Sequence, residues 1–209
     1  MSKICIIDYK TGGNIFSVNN SLEYIGAKPI ITSDPEEILR ADKIIFPGVG
    51  SFKVAAEQIS KLGIADALKK AREKKIPILG ICVGMQIMFE AGTEGSRSEG
   101  LGFYKGTVEE FKTTKLKIPH MGWNEVDFSQ SNTNPLTKNI NNRSSMYFVH
   151  SYRVEAEPKL NPEASIATTD YAGKFIAHIW DGGTTWGSQF HMEKSGEAGL
   201  EMLRSFIKL

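Results

Sequence analysis

The sequence predicts an α/β fold: a mostly parallel sheet flanked by helices, passing into a β-rich C-terminal half, all in one domain over residues 1–209. Two observations carry this. Short apolar runs alternate with helical patterns through the first part of the chain, as parallel βαβ units require. From about Gly106 the texture changes to β-rich segments separated by Asn, Pro and Gly turns. No internal repeat, low-complexity tract or long linker divides the chain.

The first strand is expected at residues 3–8, where Ile4-Cys5-Ile6-Ile7 is apolar without alternation, the pattern of a strand buried on both faces. This stretch is too short for a signal peptide. Further strands are expected at 29–32, 43–46 and 76–81, with helices between them near 14–25, 35–39 and 51–72. The later strands fall at 145–149, 165–169, 174–180 and 185–190. Residues 132–142, rich in Asn, read as a surface loop. A last helix starts near Ser195, with Leu200, Leu203, Phe206 and Ile207 at helical spacing.

Bulk properties narrow the classes of function. Lys and Arg total 25 against 24 Asp and Glu, a formal net charge of +1, so nothing recruits nucleic acid or an anionic membrane. The hydrophobic fraction of 41% is ordinary for a globular protein. The only cysteines are Cys5 and Cys82, which excludes a disulfide framework and a thiolate metal cluster and points to a reducing, cytoplasmic compartment.

The richest segment is Gly80-Ile81-Cys82-Val83-Gly84-Met85-Gln86. It ends the apolar run Ile76-Pro77-Ile78-Leu79 and opens a helical pattern, Gln86-Ile87-Met88-Phe89-Glu90. A cysteine on such a strand-to-helix corner has the setting of a nucleophile elbow, and the helix start favours the thiolate. Cys5, inside an apolar strand, reads as a small core side chain.

A nucleophile needs a base, and the base an orienting group. Gln189-Phe190-His191-Met192-Glu193-Lys194-Ser195 supplies both, since residues i and i+2 of an extended chain project to one face. The reading is Cys82 as nucleophile, His191 as general base and then acid, and Glu193 holding the imidazole. His120, His150 and His178 have no carboxylate at a matching offset and are read as structural. The loop Pro47-Gly48-Val49-Gly50 follows a parallel strand, which places it at the same sheet edge as Cys82. Attack on an amide builds charge on the carbonyl oxygen; one backbone amide from Val83 and another from the Gly48, Val49, Gly50 loop would stabilise it by roughly 3 kcal/mol each.

The elbow, the Pro47-Gly48-Val49-Gly50-Ser51-Phe52 loop and Phe190-His191-Met192-Glu193-Lys194-Ser195 together resemble the class I, triad-type glutamine amidotransferases. His120-Met121-Gly122-Trp123-Asn124 and Tyr147-Phe148-Val149-His150-Ser151-Tyr152 are similar to segments of the glutaminase subunits of imidazole glycerol phosphate synthases. The match runs from Ile4 almost to the C-terminus, with one departure: the family usually has Pro where Met192 stands.

The resemblance implies a flavodoxin-like fold and hydrolysis of glutamine to glutamate and ammonia without metal or organic cofactor. It implies a heterodimer with a barrel-shaped cyclase subunit that uses the ammonia in histidine biosynthesis. It assigns Gln86 and Glu94 to the amide and ammonium ends of glutamine and Ser151 to its α-carboxylate, and places Asn14, Trp123 and Lys194 at the partner interface. Read by themselves, Glu94 is a solvated charge, and Trp123 is either core packing or an exposed anchor. Two other readings stand beside this one. The chain feeds a paralogous synthase that amidinates a sugar nucleotide, or it is a silent partner that keeps the fold.

Overall fold

The computed structural model describes residues 2–10, 14–131, 133–156 and 164–209. In chain order the first elements are β1 (Ile4–Ile7), α1 (Ile15–Tyr24), β2 (Ile30–Thr32), α2 (Pro35–Leu39), β3 (Lys43–Gly48), α3 (Phe52–Lys61) and α4 (Ile64–Glu73). Then follow β4 (Ile78–Cys82), α5 (Val83–Ile87), β5 (Phe89–Gly92), β6 (Ser98–Glu99), β7 (Tyr104–Glu110), β8 (His120–Val126), β9 (Ser144–His150) and β10 (Tyr152–Arg153). The chain ends with β11 (Ser165–Asp170), β12 (Lys174–Trp180), β13 (Thr185–Ser188), a 3-10 turn at Met192–Lys194 and α6 (Gly196–Lys208).

The main sheet has seven strands in the order β11-β12-β13-β4-β3-β1-β2. The five from β13 to β2 run parallel, β12 runs antiparallel to β13, and β11 runs antiparallel to β12. Strands β1, β3 and β4 are buried throughout, which explains their unbroken apolar runs. Helices lie on the sheet by one apolar stripe each: Val18 and Leu22 in α1, Phe52, Ala55 and Ile59 in α3, Met202, Leu203 and Phe206 in α6. Pro35 opens α2, and the Asp34 carboxylate accepts the Glu36 N–H at 2.9 Å.

The register sets the functional edge. Gly48 of β3 stands opposite Cys82 of β4, and Ser188 of β13 stands opposite Ile81. The chain leaving β13 therefore emerges beside the cysteine, and the loop after β3 flanks it on the other side. Close approach is needed there: a Cβ on Gly84 would lie 1.8 Å from the Phe46 carbonyl oxygen, so the start of α5 rests directly on the backbone of β3.

Several sequence expectations change. The helix expected over 51–72 is two, because Gly63 takes a left-handed φ of +71° and redirects the chain into α4. The helical pattern through Glu90 stops at Ile87, and Phe89 and Glu90 lie in β5. That strand joins a second sheet, β10-β7-β5-β6, and β8 pairs β9 in a third. The Asn-rich segment begins outside the described residues at Asn132, and its remainder is not simply surface: Asn134, Leu136 and Thr137 are buried. Asn134 accepts the Trp186 indole N–H at 3.0 Å and its amide nitrogen meets His178 Nε2 at 2.9 Å, so a loop rich in polar residues is pinned by satisfied core hydrogen bonds.

Candidate active site

Cys82 ends β4 and caps α5 with φ +55° and ψ −114°, a conformation that a side chain other than glycine rarely adopts. Such strain persists only where the surroundings enforce it, here the paired strands on one side and the start of α5 pressed onto β3 on the other. The thiol borders a cavity of about 240 Å³. Val49, Gly50, Val83, Gln86, Glu94 and Ser151 line it too, so the expected oxyanion and substrate residues converge there except Gly48, which lies in β3 opposite Cys82.

The acid–base pair comes from the turn after β13. His191 Nδ1 donates to Glu193 Oε1 at 2.6 Å, with both side chains buried. The geometry differs from the extended run expected from spacing: His191 is extended at φ −83°, ψ 100°, and Met192–Lys194 is a 3-10 turn that folds Glu193 back under the imidazole. The His191 N–H donates to the Tyr147 carbonyl at 2.9 Å, and the Ser195 hydroxyl donates to the His191 carbonyl at 2.6 Å. His191 Nε2 lies near enough for the Cys82 thiolate to raise its basicity, but closes no hydrogen bond of normal geometry within the described residues. Burial opposes the imidazolium; the thiolate and the Glu193 carboxylate outweigh it and push His191 up to about 10. Burial of Cys5, by contrast, pushes that thiol up to about 12, which keeps it an inert core group.

Asn14, expected at a partner interface, touches the His191–Glu193 pair. Its side chain does not cap α1; its amide donates to Glu193 Oε1. Trp123 is 58% exposed, which decides against core packing. Its ring stands edge-on to Tyr147 with centroids 6.0 Å apart. Lys194 is exposed on the turn that carries Glu193. Glu94 is not a free solvated charge, because its Oε2 accepts the Phe52 N–H at 2.6 Å at the start of α3.

Gln86 is buried, and its amide nitrogen donates to the Tyr152 carbonyl at 2.9 Å and to Gln189 Oε1 at 3.0 Å. Gln189, fully buried, places its own amide nitrogen 3.7 Å from the Cys82 sulfur. Reading the sequence for titratable groups passes over this residue; its position two before His191 was the available signal. His150 also lines the cavity, donating from Nδ1 to the Tyr152 carbonyl at 2.8 Å and meeting His120 at 3.1 Å. Burial lowers His120 to about 4 and His150 to about 3, so both are neutral near pH 7. No helix among the described residues is long and apolar enough to cross a membrane.

A buried cysteine at a strained corner, a neighbouring His–Glu pair and a small polar-rimmed cavity suit nucleophilic attack on an amide. Comparison with known proteins agrees. Residues 7–209 match the family described as glutamine amidotransferase class-I. The chain is 45% identical to imidazole glycerol phosphate synthase subunit HisH 1 of Campylobacter jejuni over 208 residues, covering 99% of this chain and 100% of that protein. It is 40% identical over 210 residues to subunit HisH of Methanosarcina acetivorans, covering all of both chains. Among solved structures it is similar to a chain of PurLQS from Thermotoga maritima, with a TM-score of 0.75, 20% identity and coverage of 100% and 99%. A glutamine amidotransferase crystal structure gives a TM-score of 0.73 at 14% identity, covering 98% and 97%.

Proposed function

Because the chain belongs to the class I glutamine amidotransferase family, we propose that it is the glutaminase subunit of an imidazole glycerol phosphate synthase, delivering ammonia to a barrel-shaped cyclase partner in the cytoplasm. The observation that carries the chemistry is the 2.6 Å bond from His191 to Glu193 beside the cysteine of the elbow. The histidine-pathway assignment is supported by relatives of that name matched over nearly the whole chain.

In this reading the Cys82 thiolate attacks the side-chain carbonyl of glutamine. A new C–S bond forms, and the carbonyl electrons move onto oxygen, facing the Val83 amide and the Val49–Gly50 loop. Collapse of the tetrahedral intermediate expels nitrogen, which takes a proton from His191 Nε2. A histidine raised to about 10 carries that proton at neutral pH. Neutral His191 then takes a proton from water as the water attacks the thioester; glutamate leaves and the thiolate returns. Glu193 keeps the proton on Nδ1 and the ring in one orientation throughout, so that proton transfer runs through Nε2. With both N–H groups of Gln86 committed, its Oε1 is the group left to accept from the substrate. Glu94 and Ser151 take the ammonium and carboxylate ends.

The test is glutamate release by the purified chain with and without its synthase and acceptor, alongside synthesis driven by free ammonia. Cys82→Ala should abolish glutamine-dependent synthesis and leave the ammonia-dependent reaction nearly intact. Substantial glutaminase activity surviving in that variant would overturn the assignment. Hydrolysis by the chain alone should be slow and accelerate in the complex, because Gly50, exposed and at φ +88°, leaves the oxyanion loop able to reorient.

A further inference from the structure

The Tyr152 carbonyl can only accept hydrogen bonds, and this fixes the polarity of everything attached to it. It receives Gln86 Nε2 at 2.9 Å and His150 Nδ1 at 2.8 Å. Turning the Gln86 amide over would set oxygen against oxygen. Its NH2 therefore points at Tyr152, and its second hydrogen meets Gln189 Oε1 at 3.0 Å. Gln189 is oriented in turn: its oxygen faces Gln86, and its NH2 faces the Cys82 sulfur at 3.7 Å. A backbone carbonyl thus dictates, through two buried amides, that an N–H and not an oxygen is aimed at the candidate nucleophile.

A second polar neighbour of the sulfur, besides His191, is the Val149 carbonyl at 3.9 Å, which accepts from S–H and repels a thiolate. Gln189 is the counterweight. We propose that Gln189 is a catalytic residue, donating an N–H to the Cys82 thiolate and holding the sulfur in its attacking position, with its orientation imposed by Tyr152 through Gln86. The proposal rests on the glutaminase reading for its role in turnover, but not for its effect on the thiol. Among the described residues, the charged group facing the sulfur is His191, backed by Glu193, and neither is touched by the substitutions below. Neutral His150 lines the same cavity and donates from Nδ1 to the Tyr152 carbonyl.

The experiment is alkylation of the free chain by iodoacetamide as a function of pH, with Cys82→Ala as the background. Gln189→Met keeps the volume and loses the donor. Gln189→Glu still accepts from Gln86 but sets a carboxylate against the sulfur. The midpoint of alkylation should rise by about one pH unit in Gln189→Met, the size of one hydrogen bond to a charged group, and further in Gln189→Glu. In the complex with synthase, kcat for glutamine should fall roughly tenfold while KM changes little, as expected for loss of an interaction with the reacting sulfur. A merely structural role would leave the alkylation midpoint in place, and an unchanged midpoint in the folded variants would overturn the proposal. Should both variants fail to fold, the wild type still decides. The Gln189 side-chain amide proton resonances should titrate with Cys82, and this titration should vanish in Cys82→Ser; resonances indifferent to pH would overturn the proposal. Absent glutaminase activity in the wild type with a shifted midpoint in the variants would sink the proposed function alone.

Discussion

Glu94 and Phe52 are joined by a 2.6 Å bond from the backbone N–H of one to the carboxylate of the other, so the group proposed to receive the glutamine ammonium also anchors the end of the Pro47–Gly50 loop. Two substitutions separate these duties. Glu94→Gln keeps an acceptor for Phe52 and loses only the charge, so it should raise KM for glutamine about tenfold or more with kcat nearly unchanged. Glu94→Ala also frees the loop and should lower kcat. Equal kcat in the two variants, measured in the complex, would show that the bond to Phe52 does not support the oxyanion loop.

The histidines pull stability in opposite directions with pH. His120, His150 and His178 are buried and lowered to about 4, 3 and 3, so their charged forms are disfavoured in the folded state. The stability they confer is present above the unfolded value near 6.5 and is lost as pH falls toward 4 and below. His191 is raised to about 10, so its contribution is fully present below about 6.5 and is lost as pH rises through 10. Near pH 5 these three buried histidines should take up about three protons on unfolding, while His191, protonated in both states, adds none. Unfolding calorimetry in buffers of different ionisation enthalpy measures the uptake. A value near zero at pH 5 would contradict neutral burial of the three.

How far the sequence carried the reading depends on what kind of force placed each group. The parallel core was legible because strands buried on both faces must be apolar along their length, as Ile4–Ile7 and Ile78–Cys82 are. Strands Phe89–Gly92 and Ser98–Glu99 were not, since they are short and their burial comes from neighbours remote in sequence. The 191/193 spacing found the acid–base pair but suggested an extended chain where a 3-10 turn stands. The position of Gln189 two before His191 was legible but its orientation was not, because which end of the amide faces sulfur is decided by a carbonyl in another strand.

Trp123 is the strongest handle on the partner. It is 58% exposed, stands edge-on to Tyr147, and Tyr147 accepts the His191 N–H, so a surface contact is two steps from the base. Met121 on the same strand is 63% exposed and enlarges the apolar patch. Trp123→Ala should weaken association with the synthase roughly 30-fold, about 2 kcal/mol at an anchoring aromatic, while leaving the melting temperature almost unmoved. It should also raise the ratio of glutamate formed to product formed. Unchanged affinity and unchanged ratio would put the partner on another face.

Met192 stands where the family usually has proline, and the structure alters what that exchange should cost. Backbone reasoning alone limits Met192→Pro to about 1 kcal/mol, because residue 192 opens the 3-10 turn, a position that suits a fixed φ and needs no N–H. The side chain argues otherwise: Met192 is wholly buried in the core, and its carbonyl lies so close to α6 that a Cβ on Gly199 would be 2.0 Å from it. Proline fills less of that space. The lost packing, about 2 kcal/mol or more for a truncated core methionine, exceeds the gain from a stiffer unfolded chain, so Met192→Pro should destabilise by about 1–3 kcal/mol. Met192→Leu, which conserves volume, should cost less than about 1.5 kcal/mol. Neither change moves His191 from Glu193, so kcat in the complex should stay within about twofold of the wild type at temperatures where the variant is folded. A stabilised Met192→Pro would show that the core closes around the smaller ring, and a large gain in activity would mean that methionine holds the triad out of register.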